Sequence, residues 1–147
     1  MIAHVTSFSR KRSWARRFAM QALYQWQLTG QNLHTIETQF QEEQELYRSD
    51  NDYFRELLYE AASRIHAINE VLVPYLDRPL EQVDPVERAI LWLSGYELLY
   101  RQDIPFRVII NEGVELAKKF GAEQGHRFIN GVLDKAARQL RAEELGE

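Results

Sequence analysis

The chain has 147 residues, 45% of them hydrophobic, which suits one domain that buries roughly two-thirds of its unfolded surface. It has no cysteine, so disulfides, thiol nucleophiles and thiolate metal sites are excluded together. The net charge of −4 hides an asymmetry. Five of the 18 Lys and Arg residues (Arg10, Lys11, Arg12, Arg16 and Arg17) precede the first acid, Glu37, so the start carries +5; the rest sets 13 cations against all 22 acids and carries −9. A basic start on an acidic body points to an anionic partner at one end and speaks against a uniformly basic nucleic-acid binder.

Residues 1–11 are expected to form a basic flexible arm. Over residues 12–29, Ala15, Phe18, Ala19, Ala22, Leu23 and Trp26 recur at helical spacing and predict one amphipathic helix, ended by Gly30. A shorter segment follows, with Ile36, Phe40 and Tyr47 on its apolar side. Asp50, Asn51 and Asp52 offer N-caps for the expected longest helix, whose stripe runs Phe54, Leu57, Leu58, Ala61, Ala62, Ile65, Ile68, Leu72 and Tyr75. Pro74 and Pro79 bracket a turn, and residues 80–83 suit a single helical turn. Asp84-Pro85-Val86-Glu87 reads as an N-cap, a proline at the first helical position and a glutamate closing a capping box. That helix runs to about Arg101. Pro105 opens another that continues to Lys119 with Gly121 as its C-cap, and a last helix covers about 124–141 before a frayed tail at 142–147. No hairpin dipeptide or sustained alternation signals a strand. The predicted class is all-α, with six or seven helices in one or two small bundles.

Nothing in the chain assembles catalytic chemistry. His4, His34, His66 and His126 are scattered without convergent spacing, so no metal site is expected. The carboxylates, such as Glu42, Glu43, Glu45, Glu112 and Glu115, read as solvated helix faces. Gly121 to Gly125 lacks the lysine and hydroxyl of a phosphate loop. Gly113 and Gly131 interrupt helical patterns, which suits close helix packing or the approach of a partner's backbone. A non-enzyme without cofactors is expected. No apolar run nears the roughly 18 residues of a membrane span, and Met1 to Phe8 is too short and polar for a signal peptide, so a cytoplasmic location is expected.

Three features suggest binding. Arg10, Lys11, Arg12, Arg16 and Arg17 oppose the dipole at a helix start, a cost that an anionic ligand would offset, and Trp14 among them could stack on a base. The alternative is a solubilising arm with Trp14 packed on the core. Phe128 beside Arg127 and Lys119 could form a second stacking platform, or lie in the core. Glu81 has no local structural role and could face a basic partner protein.

Several segments, in order, resemble the bacterial NusB family of transcription antitermination factors. They are Ala15-Arg16-x-x-Ala19-x-Gln21-x-Leu23-Tyr24, Val86-Glu87-Arg88-Ala89-Ile90-Leu91, Tyr96-Glu97-Leu98, Ile104-Pro105, Ile110-Asn111-Glu112, Glu115-Leu116-Ala117-Lys118-Lys119-Phe120-Gly121 and Phe128-Ile129-Asn130-Gly131-Val132-Leu133-Asp134. The resemblance implies two three-helix bundles and no catalysis. It implies pairing with the ribosomal protein NusE, joint binding of single-stranded boxA RNA from ribosomal RNA operons, and action within the RNA polymerase antitermination complex. It places RNA contacts at Arg12 and Arg16 and, in a second region, at Gln124, Arg127 and Phe128; the charge pattern adds Arg10, Lys11 and Lys119 to the expected RNA-binding set. It places NusE contacts at Glu81, Glu87 and Arg88. Ser13, Arg17 and Gln124 depart from the family pattern. The same fold is appended to some ribosomal RNA methyltransferases, but no such domain is present in these 147 residues. A homodimer that hides the basic start is a further expectation, because the first helix has a spare face.

Overall fold

The computed structural model describes residues 6–43 and 45–146. Residues 1–5 of the expected arm, with His4, and Glu147 of the expected tail lie outside the described residues, as does Gln44. Within them are seven α-helices and no strand: α1 (Ser7–Thr29), α2 (Leu33–Glu43), α3 (Asn51–Ser63), α4 (Ile65–Leu72), α5 (Pro85–Tyr100), α6 (Phe106–Phe120) and α7 (Gly125–Leu140). Single 3-10 turns lie at Leu46–Arg48, Val73–Tyr75 and Leu80–Gln82.

Helix α1 starts earlier than its hydrophobic stripe. The Thr6 hydroxyl oxygen accepts the Ser9 N–H at 2.9 Å, so the described part of the expected arm is helical from Ser7. At its far end Gly30 takes φ 68° and donates to the Trp26 carbonyl at 3.0 Å. The expected stripe is buried from Ala15 to Leu23, with Trp26 half-buried edge-on to Trp92.

The expected longest helix is two helices. Asp50 caps α3 as read, accepting the Tyr53 N–H at 3.1 Å, but the chain breaks at Arg64, where φ is −111° and ψ 18°. There the Ser63 hydroxyl donates to the Glu60 carbonyl at 3.1 Å, offering the backbone a local alternative to the helix. The break turns α4 across α5. At the crossing, a Cβ on Gly95 would come within 2.8 Å of Ile68 Cγ2 and 3.1 Å of Leu72 Cδ1, so any larger residue would push α4 side chains aside.

Two three-helix groups result, α1–α2–α3 and α5–α6–α7, joined where α1 lies along α5. Helix α5 buries residues on every side, from Glu87 to Leu98, and so has no solvent face; it is the shared centre of one continuous core. Each fully buried Leu or Ile there contributes about 1.5–3 kcal/mol. Gly113 is a packing glycine, its Cβ position 2.9 Å from the Ser94 hydroxyl and 3.2 Å from Leu133 Cδ1. Gly131 is not, since nothing lies within 4 Å of its Cβ position.

The tail also departs from expectation. Arg141, just past α7, is buried and donates to the carbonyls of Glu97 (3.1 Å), Leu98 (3.0 Å) and Arg101 (3.0 Å), capping the carbonyl end of α5, and to that of Ile104 (2.9 Å) in the loop that follows. Residues 142–146 form turns rather than fraying, because Glu144 pairs with Arg141 and accepts the Phe106 N–H at 3.0 Å.

Candidate nucleic-acid interface

Because α1 begins at Ser7, its five cations sit on a helix, and the 100° step per residue divides them between faces. Arg10 and Arg17 share one face with Ser13 and Trp14. Arg12 and Arg16 share another.

The Arg12–Arg16 face is turned inward. Arg16 is buried, and its Nε donates to both Glu97 carboxylate oxygens at 3.2 and 2.9 Å while Nη1 donates to Glu112 at 2.8 Å. Tyr53 donates its hydroxyl to the same Glu97. Burial pushes the Glu97 carboxyl up, with Arg16 and Tyr53 pulling against it. Burial likewise opposes the Arg16 charge, but Glu97, Tyr53 and Glu112 outweigh it and hold the guanidinium protonated. Two donors, the Arg16 Nε and the Tyr53 hydroxyl, thus converge on one buried carboxylate. Arg16, expected at a phosphate, is thus buried here, with its guanidinium clamping α1 to α5. Arg12 lies over the Tyr53 ring (4.1 Å) and the Phe8 ring (4.7 Å), in a hollow with Asp103, Pro105 and Val108, and its buried Nε has no hydrogen-bond partner.

The Arg10–Arg17 face lines an open cleft of about 240 Å³, whose rim includes Arg10, Trp14, Arg17 and Lys119. Two acids, Glu112 and Glu115, also line it. Glu112 is committed to Arg16 and to the Ser13 hydroxyl (2.6 Å), and Glu115 pairs with Lys118 at 3.3 Å. Among the described residues no carboxylate lies within ion-pair distance of Arg10, Arg17 or Lys119. Ser13, which also lines the cleft, thus helps to hold Glu112. Arg17 lies over Trp14 (4.7 Å) and Phe120 (4.9 Å), bringing α1 against the end of α6; it is absent from the expected contact set.

The second expected region is only partly assembled. Gln124 and Arg127 are exposed where α7 leaves the α6–α7 turn, close in sequence to Lys119. Gln124 itself has φ 68°, the only left-handed non-glycine among the described residues. Gly121 is the C-cap of α6 as read, donating to the Ala117 carbonyl at 2.9 Å, but in extended backbone (φ −84°, ψ 177°); the left-handed conformation falls at Gln124, three residues later. Phe128 is half-buried against the core, and the cation over its ring is Arg78, at 4.3 Å, rather than Arg127 or Lys119.

The expected protein-contact residues divide as well. Asp84 caps α5 as read, accepting from the Val86 N–H at 2.8 Å. Glu87 does not close the box. It is buried and accepts the Ala122 N–H at 3.2 Å, tying the start of α5 to the α6–α7 turn. A Cβ at Gly125 would collide with that carboxylate, whereas at Gly121 the nearer obstacle is the Ala117 carbonyl oxygen, 2.8 Å from a Cβ, with the Glu87 carboxylate at 3.3 Å. Arg88 is spent internally on the Gln27 side chain (3.1 Å) and the Glu81 and Val83 carbonyls (3.2 and 2.8 Å). Glu81 alone of the three stands exposed.

Among the described residues no cluster of His, Asp or Glu could hold a metal, and no helix is long and apolar enough to cross a membrane. The family model described as the NusB family matches residues 13–138. The chain belongs to the NusB family. It is 53% identical over 133 residues to the transcription antitermination protein NusB of Alcanivorax borkumensis, covering 90% of this chain and 89% of that one. It is 57% identical over 121 residues to the protein of the same name from Shewanella amazonensis, covering 82% and 90%. Among solved structures, NusB of T. maritima superposes with a TM-score of 0.78 at 29% identity, over 92% of this chain and 97% of that one. A structure of antitermination factors NusB and NusE in complex with double-stranded RNA superposes with a TM-score of 0.76 at 27% identity, over 88% and 98%.

Proposed function

We propose that this NusB-family chain is an RNA-binding transcription antitermination factor, acting in the cytoplasm without catalysis or cofactor. With NusE it binds the boxA RNA of ribosomal RNA operons and, within the RNA polymerase antitermination complex, suppresses termination. One observation carries this reading: Arg10, Arg17 and Lys119 gather around a single open cleft beside Trp14, with the neighbouring acids already engaged. Three such cations at a helix start and a helix end suit a chain of phosphates, and an indole among them suits a base. Lys11, Gln124 and Arg127 extend the surface on either side. Superposition on a NusB bound to NusE and RNA supports the pairing of partners. Exposed Glu81 is the contact offered to NusE; Glu87 and Arg88 act from inside by fixing the α5 start on which Glu81 leans. The test is a titration of boxA RNA with and without NusE. Specific binding, tightened by NusE, is the expected result, and no preference for boxA over an unrelated single strand in either condition would overturn the reading.

A further inference from the structure

Residues from three elements form a continuous ladder of rings and guanidinium groups. Tyr47 and Arg48 come from the Leu46–Arg48 turn, Trp14 and Arg17 from α1 and Phe120 from α6. Arg48 lies 5.5 Å from the Tyr47 ring centre and 5.2 Å from that of Trp14; Arg17 lies 4.7 Å from Trp14 and 4.9 Å from Phe120. The sequence pattern put Tyr47 on an apolar side, yet it is 73% exposed at the end of the ladder, with Arg48 as the cation over its ring.

The ladder is not needed to hold the turn. Leu46 is buried in the core, and the Asp50 N–H donates to the Lys11 carbonyl at 3.1 Å, which already fastens this segment to α1. Arg48 pairs with Glu45, but both side chains are about half-exposed, so the pair contributes little and a phosphate can displace it. Trp14 and Arg17 line the basic cleft on one side and, on the other, a smaller hollow with Phe18, Gln21 and Glu45. The cleft and the Tyr47 end are therefore joined across Trp14.

We infer that the Tyr47–Arg48 end of this ladder is a stacking extension of the RNA site, taking nucleotides of single-stranded RNA beyond those held at the Arg10–Lys119 cleft. The inference rests on the RNA-binding reading. Tyr47 supplies a ring face for a base and Arg48 a charge for its phosphate.

The test is a titration of boxA RNA and of the same RNA lengthened by a few nucleotides at either end, with 2-aminopurine in the added segment. At one end the added nucleotides should tighten wild-type binding about 5-fold or more and quench the 2-aminopurine. Tyr47→Ala should lose both effects while keeping wild-type affinity for the short RNA, and Tyr47→Phe should keep both, since stacking needs no hydroxyl. Arg48→Ala should make the salt slope on the longer RNA shallower by about 0.7. Equal response of wild type and both alanine variants to added nucleotides would overturn the inference, while leaving the cleft's own RNA binding intact. A wild-type protein that binds neither RNA would instead overturn the RNA-binding reading itself.

Discussion

Replacing Arg16 with alanine separates two roles for the basic start. Arg16 and Glu97 are 5% and 1% exposed at their side chains, so the substitution leaves a carboxylate in the core with Tyr53 as its only remaining donor of the two. Breaking one side of a buried pair costs about 3–5 kcal/mol. At about 2–4 °C per kcal/mol for a chain of this size, the melting temperature should fall by roughly 6–20 °C. Without Arg16 the Glu97 carboxyl, already raised by burial, rises further. A raised folded value means the stranded carboxyl is tolerated when protonated at low pH and penalised as pH climbs through that value. The gap between variant and wild type should therefore widen from acidic to neutral pH. Circular dichroism melts at several pH values measure this, and Arg16→Met with Glu97→Gln should recover much of the loss. Below its melting temperature Arg16→Ala should keep the wild-type salt slope for RNA. Wild-type stability combined with a shallower slope would refute the inward assignment and return Arg16 to the phosphates.

Three further outcomes follow from the packing. Arg141→Ala removes a charged donor from three carbonyls at the end of α5 and one, Ile104, in the loop after it, so urea unfolding should show a loss of about 3 kcal/mol or more; a change under about 0.5 would contradict the cap. Gly125→Ala displaces the buried Glu87 carboxylate from the Ala122 N–H and should cost about 1–3 kcal/mol. The penalty should shrink in a Glu87→Ala background; an additive double variant would show that Glu87 is not the obstacle. Burial pushes the Glu144 carboxyl up, but the Phe106 N–H and Arg141 outweigh it and hold it below its usual value. A lowered folded value means the stabilisation is present above about pH 4.5 and lost as pH falls through the folded value. Wild type should therefore exceed Glu144→Gln in stability near neutrality and converge with it in acid, as urea midpoints would report; a gap independent of pH would contradict it.

The fold was largely legible because its signals are local. The α1 stripe, the Asp50 and Asp84 caps, the proline at the start of α5 and the absence of strand patterns each need only neighbouring residues. What the sequence hid depends on contacts distant along the chain. Arg16 has the charge of an RNA contact, and only Glu97, 81 positions away, turns it into a core clamp. Glu87 fits a capping box by spacing, yet the α6–α7 turn offers its carboxylate an N–H that a solvated box does not. The break at Arg64 carries no Gly or Pro and follows from the need of α4 to cross α5 at Gly95. Phe128 stood undecided between core and platform; Arg78, fifty positions earlier, supplies the cation that covers it. One miss was avoidable. Carrying the helix back to Thr6 would have separated Arg10 and Arg17 from Arg12 and Arg16 on geometry alone.

The central claim is that phosphates meet the Arg10–Arg17 face and Lys119, not the Arg12–Arg16 face. The direct measurement is the salt dependence of boxA RNA binding by wild type and by the triple variant Arg10→Ala, Arg17→Ala, Lys119→Ala, in the presence of NusE. Losing three phosphate contacts should weaken binding and make the slope of log affinity against log salt shallower by about 2. A variant that folds as wild type and binds with unchanged affinity and slope would contradict the claim.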